Sequence, residues 1–153
     1  MLVNDLMNSE VIIIDSNDSL LNAISMVNEL NIGRLLVMKK GKLVGIVSDR
    51  DLRRAAPSNA TTLEIHEMKY LLGKVKIKEI MTPNPITVRQ NDTVAHVAKI
   101  MYENKISGVP VVDQANRPIG VLSRSDILRS VAHLVGRQEQ SFYPISVLRY
   151  AKA

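Results

Sequence analysis

Apolar and polar positions follow two periodicities along the chain, and their order recurs. Residues 11–14 are four consecutive β-branched apolar residues, which read as a short strand. Asp18 and Ser19 supply N-cap material for a stretch whose apolar positions, Leu20, Ile24, Val27 and Leu30, fall at helical spacing. An apolar strand over residues 34–38, a turn at 39–42, a second strand over 43–47 and a helix starting at Ser48 follow. The same order returns later. It runs through a strand at 86–88, caps at Asp92 and Thr93, a stripe of Val94, Val97, Ala98 and Met101, strands at 108–112 and 118–122 around a polar turn, and a helix from Ser123. The predicted order is β-α-β-β-α, twice.

The two copies share a register. Met7 and Met81, Asn17-Asp18 and Asn91-Asp92, Ile32 and Ile106, and Val37 and Val111 all lie 74 residues apart. After one added residue, Gly45, Ser48 and Asp51 match Gly120, Ser123 and Asp126 at a spacing of 75. A unit of about fifty residues is marginal as a lone core, so the copies are expected to pack on each other. The expected fold is α/β (α+β), two repeats packed pseudo-symmetrically. The expected divisions are a first repeat over 1–56, a linker over 57–79, a second repeat over 80–135 and a tail over 136–153. In the linker Pro57 ends the preceding helix, and residues 63–72 read as a helix with Ile65, Met68 and Leu72 on one face and Gly73 as its stop. The tail holds Phe142, Tyr143 and Tyr150, three of the five aromatic residues.

Composition narrows the function. Aromatics are 3% of the chain, so the core is aliphatic and no aromatic platform for stacking bases is available. The formal charge of +5 favours anionic partners without choosing among them. The absence of Cys removes disulfides, thiolate nucleophiles and thiolate metal sites. No apolar run approaches the ~20 residues of a membrane span, and no signal peptide is visible, so a cytoplasmic protein without a membrane partner is expected. No GxSxG elbow, Walker loop or GxGxxG occurs. His66, His96 and His133 fall on separate predicted helices, and Asp49 and Asp51 are two apart on a helix start, where side chains do not face each other. Neither catalysis nor a metal site is expected. Lys74, Lys76 and Lys78 form a basic run, but no groove-reading motif accompanies it, so nucleic acid is not the expected partner.

The sharpest repeated pattern is Gly-apolar-apolar-Ser-x-x-Asp, at Gly45–Asp51 and Gly120–Asp126. It supports two readings. As a capping box it contributes about 1 kcal/mol of helix stability and nothing else. As a ligand site, a strand running into a helix start offers free N–H groups to phosphate. The Asp could then accept hydrogen bonds from a ribose diol, roughly 1.5–3 kcal/mol for bonds to a charged group.

These motifs, with Ile80-Met81-Thr82-Pro83 and the strand Ser107-Gly108-Val109-Pro110-Val111-Val112-Asp113, resemble a tandem pair of CBS domains, the Bateman module, across residues 1–135. The linker, from Arg53-Arg54-Ala55-Ala56-Pro57 on to Met68-Lys69-Tyr70-Leu71-Leu72, resembles that of acetoin-utilisation B-type CBS proteins. The resemblance implies a regulatory module without catalytic residues. Such modules bind AMP, ADP, ATP, S-adenosylmethionine or NAD-type molecules in clefts between the repeats, with no obligatory cofactor. It implies one site with Ser123 and Asp126, Gly108 near the phosphates, and Val11, Ile12 and Ile32 flanking adenine. A second site would use Ser48, Asp51 and Arg34, with Pro85, Ile86 and Ile106 as the wall. Arg34 stands where relatives place a basic phosphate contact, against Gly108 in the other copy; unengaged, it would be a solvated strand-edge charge. Arg50 and Arg124 lie beside the caps and could screen phosphate. A homodimer and an unidentified effector protein are the implied partners. The alternative is a scaffold or dimerisation module with no small-molecule role.

Overall fold

The first helix of each copy starts where the sequence places a hydroxyl. Ser19 Oγ accepts from the Asn22 N–H at 3.1 Å, and Thr93 Oγ1 from the His96 N–H at 3.2 Å. In this computed structural model, residues 1–57 and 64–139 are described. A 3-10 turn (Val3–Asp5) leads into β1 (Ile13–Asp15), α1 (Leu20–Leu30), β2 (Arg34–Lys39), β3 (Lys42–Ser48) and α2 (Asp49–Ala55). The linker contributes α3 (Ile65–Lys74) and α4 (Ile77–Ile80). The second half carries β4 (Thr82–Pro83), β5 (Val88–Arg89), α5 (Val94–Asn104), β6 (Gly108–Val112), β7 (Pro118–Ser123) and α6 (Arg124–Glu139).

The α+β repeat pair expected from the sequence is present. One sheet has the order β1-β2-β3-β4 and the other β5-β6-β7. In each, a strand pairs in parallel across a helical crossover and then antiparallel through a short turn. The internal register holds in space: Arg34 opposes Ser48 in one sheet as Gly108 opposes Ser123 in the other. Two aliphatic cores result. The first gathers Leu20, Leu35, Val37, Val47, Leu52 and Ile77; the second gathers Val3, Val97, Val109, Val111 and Leu122.

Two members of those cores come from the opposite half of the chain. Val3 is fully buried in the second core and Ile77 in the first. The backbone repeats this exchange bond for bond. Val3 N–H donates to Asp92 O and Ile77 N–H to Asp18 O, each at 2.9 Å. Leu20 N–H donates to Val75 O at 2.9 Å, and Val94 N–H to Met1 O at 3.1 Å. The chain then reaches the partner sheet. Thr82 and Pro83 pair with Ile46 and Gly45, and Asn8 bridges to Val121. The motif glycines permit this crossing. A Cβ on Gly45 would sit 3.1 Å from Thr82 O and against the Met81 sulfur, and one on Gly120 would sit 3.0 Å from Asn8 O.

Several elements depart from the sequence pattern. The first strand of each copy is shifted to Ile13–Asp15 and Val88–Arg89, because pairing with β2 and β6, not the end of the apolar run, sets the ladder. Gly73 lies inside α3; the helix runs to Lys74 and is capped by Val75, whose extended backbone carries the carbonyl that Leu20 uses. The two-residue β4 was too short to predict. The lysine run is divided between elements: Lys74 ends α3 with its Nζ 4.3 Å from the Tyr70 ring centroid, Lys76 precedes α4 and Lys78 lies within it. Helix α6 runs through position 136 to Glu139. The expected caps at 58–62 and the aromatics Phe142, Tyr143 and Tyr150 lie outside the described residues. No helix among the described residues is long and apolar enough to cross a membrane.

The exchange is testable. Val3→Ala removes buried methyls from the second core and should cost about 2 kcal/mol in urea unfolding. In native-state hydrogen exchange it should weaken protection in β6 and β7 more than in β2 and β3, although Val3 is far closer in sequence to the latter. Ile77→Ala should give the reverse pattern.

Candidate functional site

Strand β3 runs directly into α2, and β7 into α6, each through a serine. At the first junction Asp51 Oδ2 accepts from the Ser48 N–H at 2.8 Å and from Ser48 Oγ at 2.7 Å, while Ser48 Oγ lies 3.2 Å from the Asp51 N–H. At the second, Asp126 Oδ2 accepts from the Ser123 N–H at 2.9 Å and from Ser123 Oγ. The capping box is therefore present in both copies. It does not exhaust the carboxylates. All of these bonds fall on Oδ2, and Asp51 Oδ1 has no partner among the described residues. Asp126 Oδ1 lies 3.5 Å from Arg129 Nη1.

A cavity of about 430 Å³ opens in front of Ser48 and Asp51. Pro85, Ile86 and Ile106, with Ile46, form its aliphatic side, and Arg34 also lines it. The six residues expected for this site thus line one cavity between the copies. Gly108, expected at the other site, borders this cavity as well. The crossing of β4 explains the wall. Once Thr82 and Pro83 are paired with β3, Asn84 turns at φ 46° and its N–H donates to Val44 O at 3.1 Å, delivering Pro85 and Ile86 beside Ser48.

Arg34 is not a solvated strand-edge charge. It is half-buried, and its Nη2 donates to Ser107 O at 2.7 Å and to Ser107 Oγ at 2.8 Å. Its guanidinium covers Gly108, where any Cβ would strike it. Burial lowers its pKa below the ordinary arginine value; Asp126 opposes that shift, Arg124 adds to it and Asp51 opposes it. One guanidinium thus lies within the field of both motif aspartates.

The other expected set is arranged differently. Ser123 is buried, and Gly108 stands opposite it across β6 and β7. Val11, Ile12 and Ile32 are half-buried; Ile12 and Ile32 pack against the first core, and Ile32 also lines a groove between α1 and α2. Arg50 lines the Ser48 cavity, whereas Arg124 lines a groove between α5 and α6. Asp49 pairs with Arg53 and takes no part in the site. The three histidines are exposed, and no group of three or more His, Asp or Glu among the described residues could hold a metal. Seven cavity residues were not expected at the site: Ile46, Arg54, Thr82, Asn84, Asn104, Lys105 and Ser107. Arg54 sits three residues after Asp51 on one helix face, a spacing that could have marked it.

Two β-α-β-β-α copies that exchange their leading segments and enclose a cavity at the Ser48 helix start define a tandem-repeat module. The chain belongs to the CBS domain family, whose matches cover residues 3–58 and 77–133. It is 37% identical over 129 residues to an L-aspartate semialdehyde sulfurtransferase of Methanocaldococcus jannaschii, covering 84% of this chain and 23% of that protein. The chain thus spans less than a quarter of that relative's length. A CBS domain pair in complex with 5′-methylthioadenosine and S-adenosyl-L-methionine matches at 34% identity and a TM-score of 0.71, covering 87% of this chain and 97% of that one. CBSX2 of Arabidopsis thaliana in complex with AMP matches at 27% and 0.68, covering 86% and 97%. A protein assigned to acetoin utilization in Vibrio cholerae (AcuB) matches at 25% and 0.68, covering 94% and 98%.

Because both aspartates cap a helix, Asp51→Ala and Asp126→Ala should each lower stability by about 1 kcal/mol in urea unfolding without any ligand. Unchanged midpoints would show that the caps contribute nothing.

Proposed function

We propose that this chain is a regulatory module that binds an adenosine-containing ligand, such as AMP, ADP, ATP or S-adenosylmethionine, in the clefts between its repeats. The observation that carries this reading is the cavity at Ser48 and Asp51. It joins a ribose-competent carboxylate with a free oxygen, an arginine and an aliphatic wall drawn from the other copy. Its volume lies within the range of small-molecule sites. The related pairs that hold AMP or S-adenosyl-L-methionine support the same ligand class. Pro85, Ile86 and Ile106 would flank adenine, Asp51 Oδ1 would accept from the ribose, and Ser48 and Arg34 would face phosphate. Ser123 and Asp126, with Gly108, Val11, Ile12 and Ile32, would form the second cleft.

The module acts by differential affinity. A ligand that favours one relative orientation of the repeats shifts the population toward it, and an effector protein reads the result. A second copy of the chain would cover the exposed apolar side chains on α5 and α6. Tyr102 is 85% exposed and Leu128 60%, and both line the groove between those helices. The abundance of adenine nucleotides in the cytoplasm supports a cytoplasmic module. One observation favours a ligand-free scaffold instead: both capping boxes are already closed.

Thermal unfolding separates the two. A ligand at a hundredfold excess over its Kd adds about 2.7 kcal/mol to the native state, a rise in Tm of roughly 5–10 °C for a chain of this size. An adenosine ligand should produce that rise, and Asp51→Ala should reduce it. No shift with AMP, ADP, ATP, S-adenosylmethionine or NADH leaves the scaffold reading.

A further inference from the structure

The two clefts differ most in charge. Around the Ser48 cavity stand Arg34, Arg50, Arg54 and Lys105, facing the single carboxylate of Asp51. Arg50, Arg54 and Lys105 form no ion pair among the described residues. The internal register gives the counterpart of each. Arg34 corresponds to Gly108, Arg50 to Ser125 and Lys105 to Asn31. Arg54 corresponds to Arg129, which already sits beside Asp126 Oδ1. Asn84, which lines the first cavity, corresponds to Glu10 in the register. Four cations meet one carboxylate on one side; beside the other motif Arg124, Arg129 and the edge of Arg34 stand with Asp126, and the register adds Glu10.

Lys105 adds a second observation. It ends α5 in the left-handed region at φ 54°, as Asn31 ends α1 at φ 50°. Asn enters that region readily and a long side chain less so, and such outliers cluster where a side chain serves a ligand. Arginine forks match phosphate oxygens in pairs, and a cleft of one sign concentrates ions of the other.

Building on the adenosine reading above, we propose that the clefts are sorted by charge. The Ser48–Asp51 cleft takes an adenosine nucleotide carrying two or three phosphates, and the Ser123–Asp126 cleft takes at most an adenosine ligand without a phosphate chain. A triphosphate tail occupies all four cations, whereas the sulfonium of S-adenosylmethionine meets like charge there. Arg34 contributes by leaving Ser107 for the phosphates.

Titration calorimetry of the whole chain with adenosine, AMP, ATP, S-adenosylmethionine and inorganic tripolyphosphate tests this. Affinity should rise from adenosine through AMP to ATP, with ATP at least about tenfold tighter than adenosine and more sensitive to salt. One ATP should bind per chain. Arg50→Ser combined with Lys105→Asn installs the second cleft's residues at exposed positions and should narrow the gap between ATP and adenosine about tenfold. Equal affinities for adenosine and ATP, or two equivalent ATP sites per chain, would each overturn the charge sorting while leaving the adenosine reading standing; tripolyphosphate binding as tightly as ATP would show that adenosine adds nothing and would overturn both. If no adenosine compound binds, the adenosine reading itself fails, and the sorting with it.

Discussion

Each half of this chain completes the hydrophobic core of the other. Val3 and Ile77 are fully buried, and each lies in the core built by the opposite copy. Neither repeat is large enough to hold a core comfortably alone. Exchange of the leading segments solves that problem and fixes the mutual placement of the copies in the same stroke. The cleft is a by-product of it. Thr82 and Pro83 must lie along β3 before Asn84 can turn and set Pro85 and Ile86 beside Ser48. The glycine of each Gly-apolar-apolar-Ser-x-x-Asp motif belongs to this constraint rather than to ligand chemistry. A side chain at Gly45 or Gly120 would block the crossing backbone.

The serine and aspartate of the motif close a cap that leaves one oxygen of Asp51 without a partner among the described residues. The cap uses Oδ2 of Asp51, and Asp51 itself lines the cavity. The cap holds the helix start rigid at the edge of the cavity. Arg34 behaves differently. Its bonds to Ser107 hold it across the seam between copies, over the one residue, Gly108, that leaves room for it. The chain has thus broken the symmetry of its repeats at the seam itself.

Most of the fold was legible because register carries it. A shared spacing of 74 residues, with one insertion, marks every strand and helix of the two copies. The caps at Ser19 and Thr93 were legible for the same local reason. The exchange was not, since Val3 and Ile77 look in sequence like ordinary apolar residues ahead of their own repeats. The stop expected at Gly73 failed because Val75 is drawn into a hydrogen bond with Leu20, a tertiary demand that no local signal announces. At the site, Ser48, Asp51, Arg34, Pro85, Ile86 and Ile106 were found through motif and resemblance, and all line one cavity. Lys105 was hidden because its significance lies in what Asn31 is in the other copy. Ser107 was hidden because its partner is 73 residues away.

A crystal structure of the protein grown with ATP bears most directly on the cleft between exchanged copies. Electron density for the nucleotide should fill the Ser48–Asp51 cavity, with the ribose on Asp51 Oδ1, adenine against Pro85, Ile86 and Ile106, and the Arg34 guanidinium moved from Ser107 onto phosphate. Nucleotide bound elsewhere on the surface, with Arg34 still on Ser107 and the cavity empty, would contradict the account.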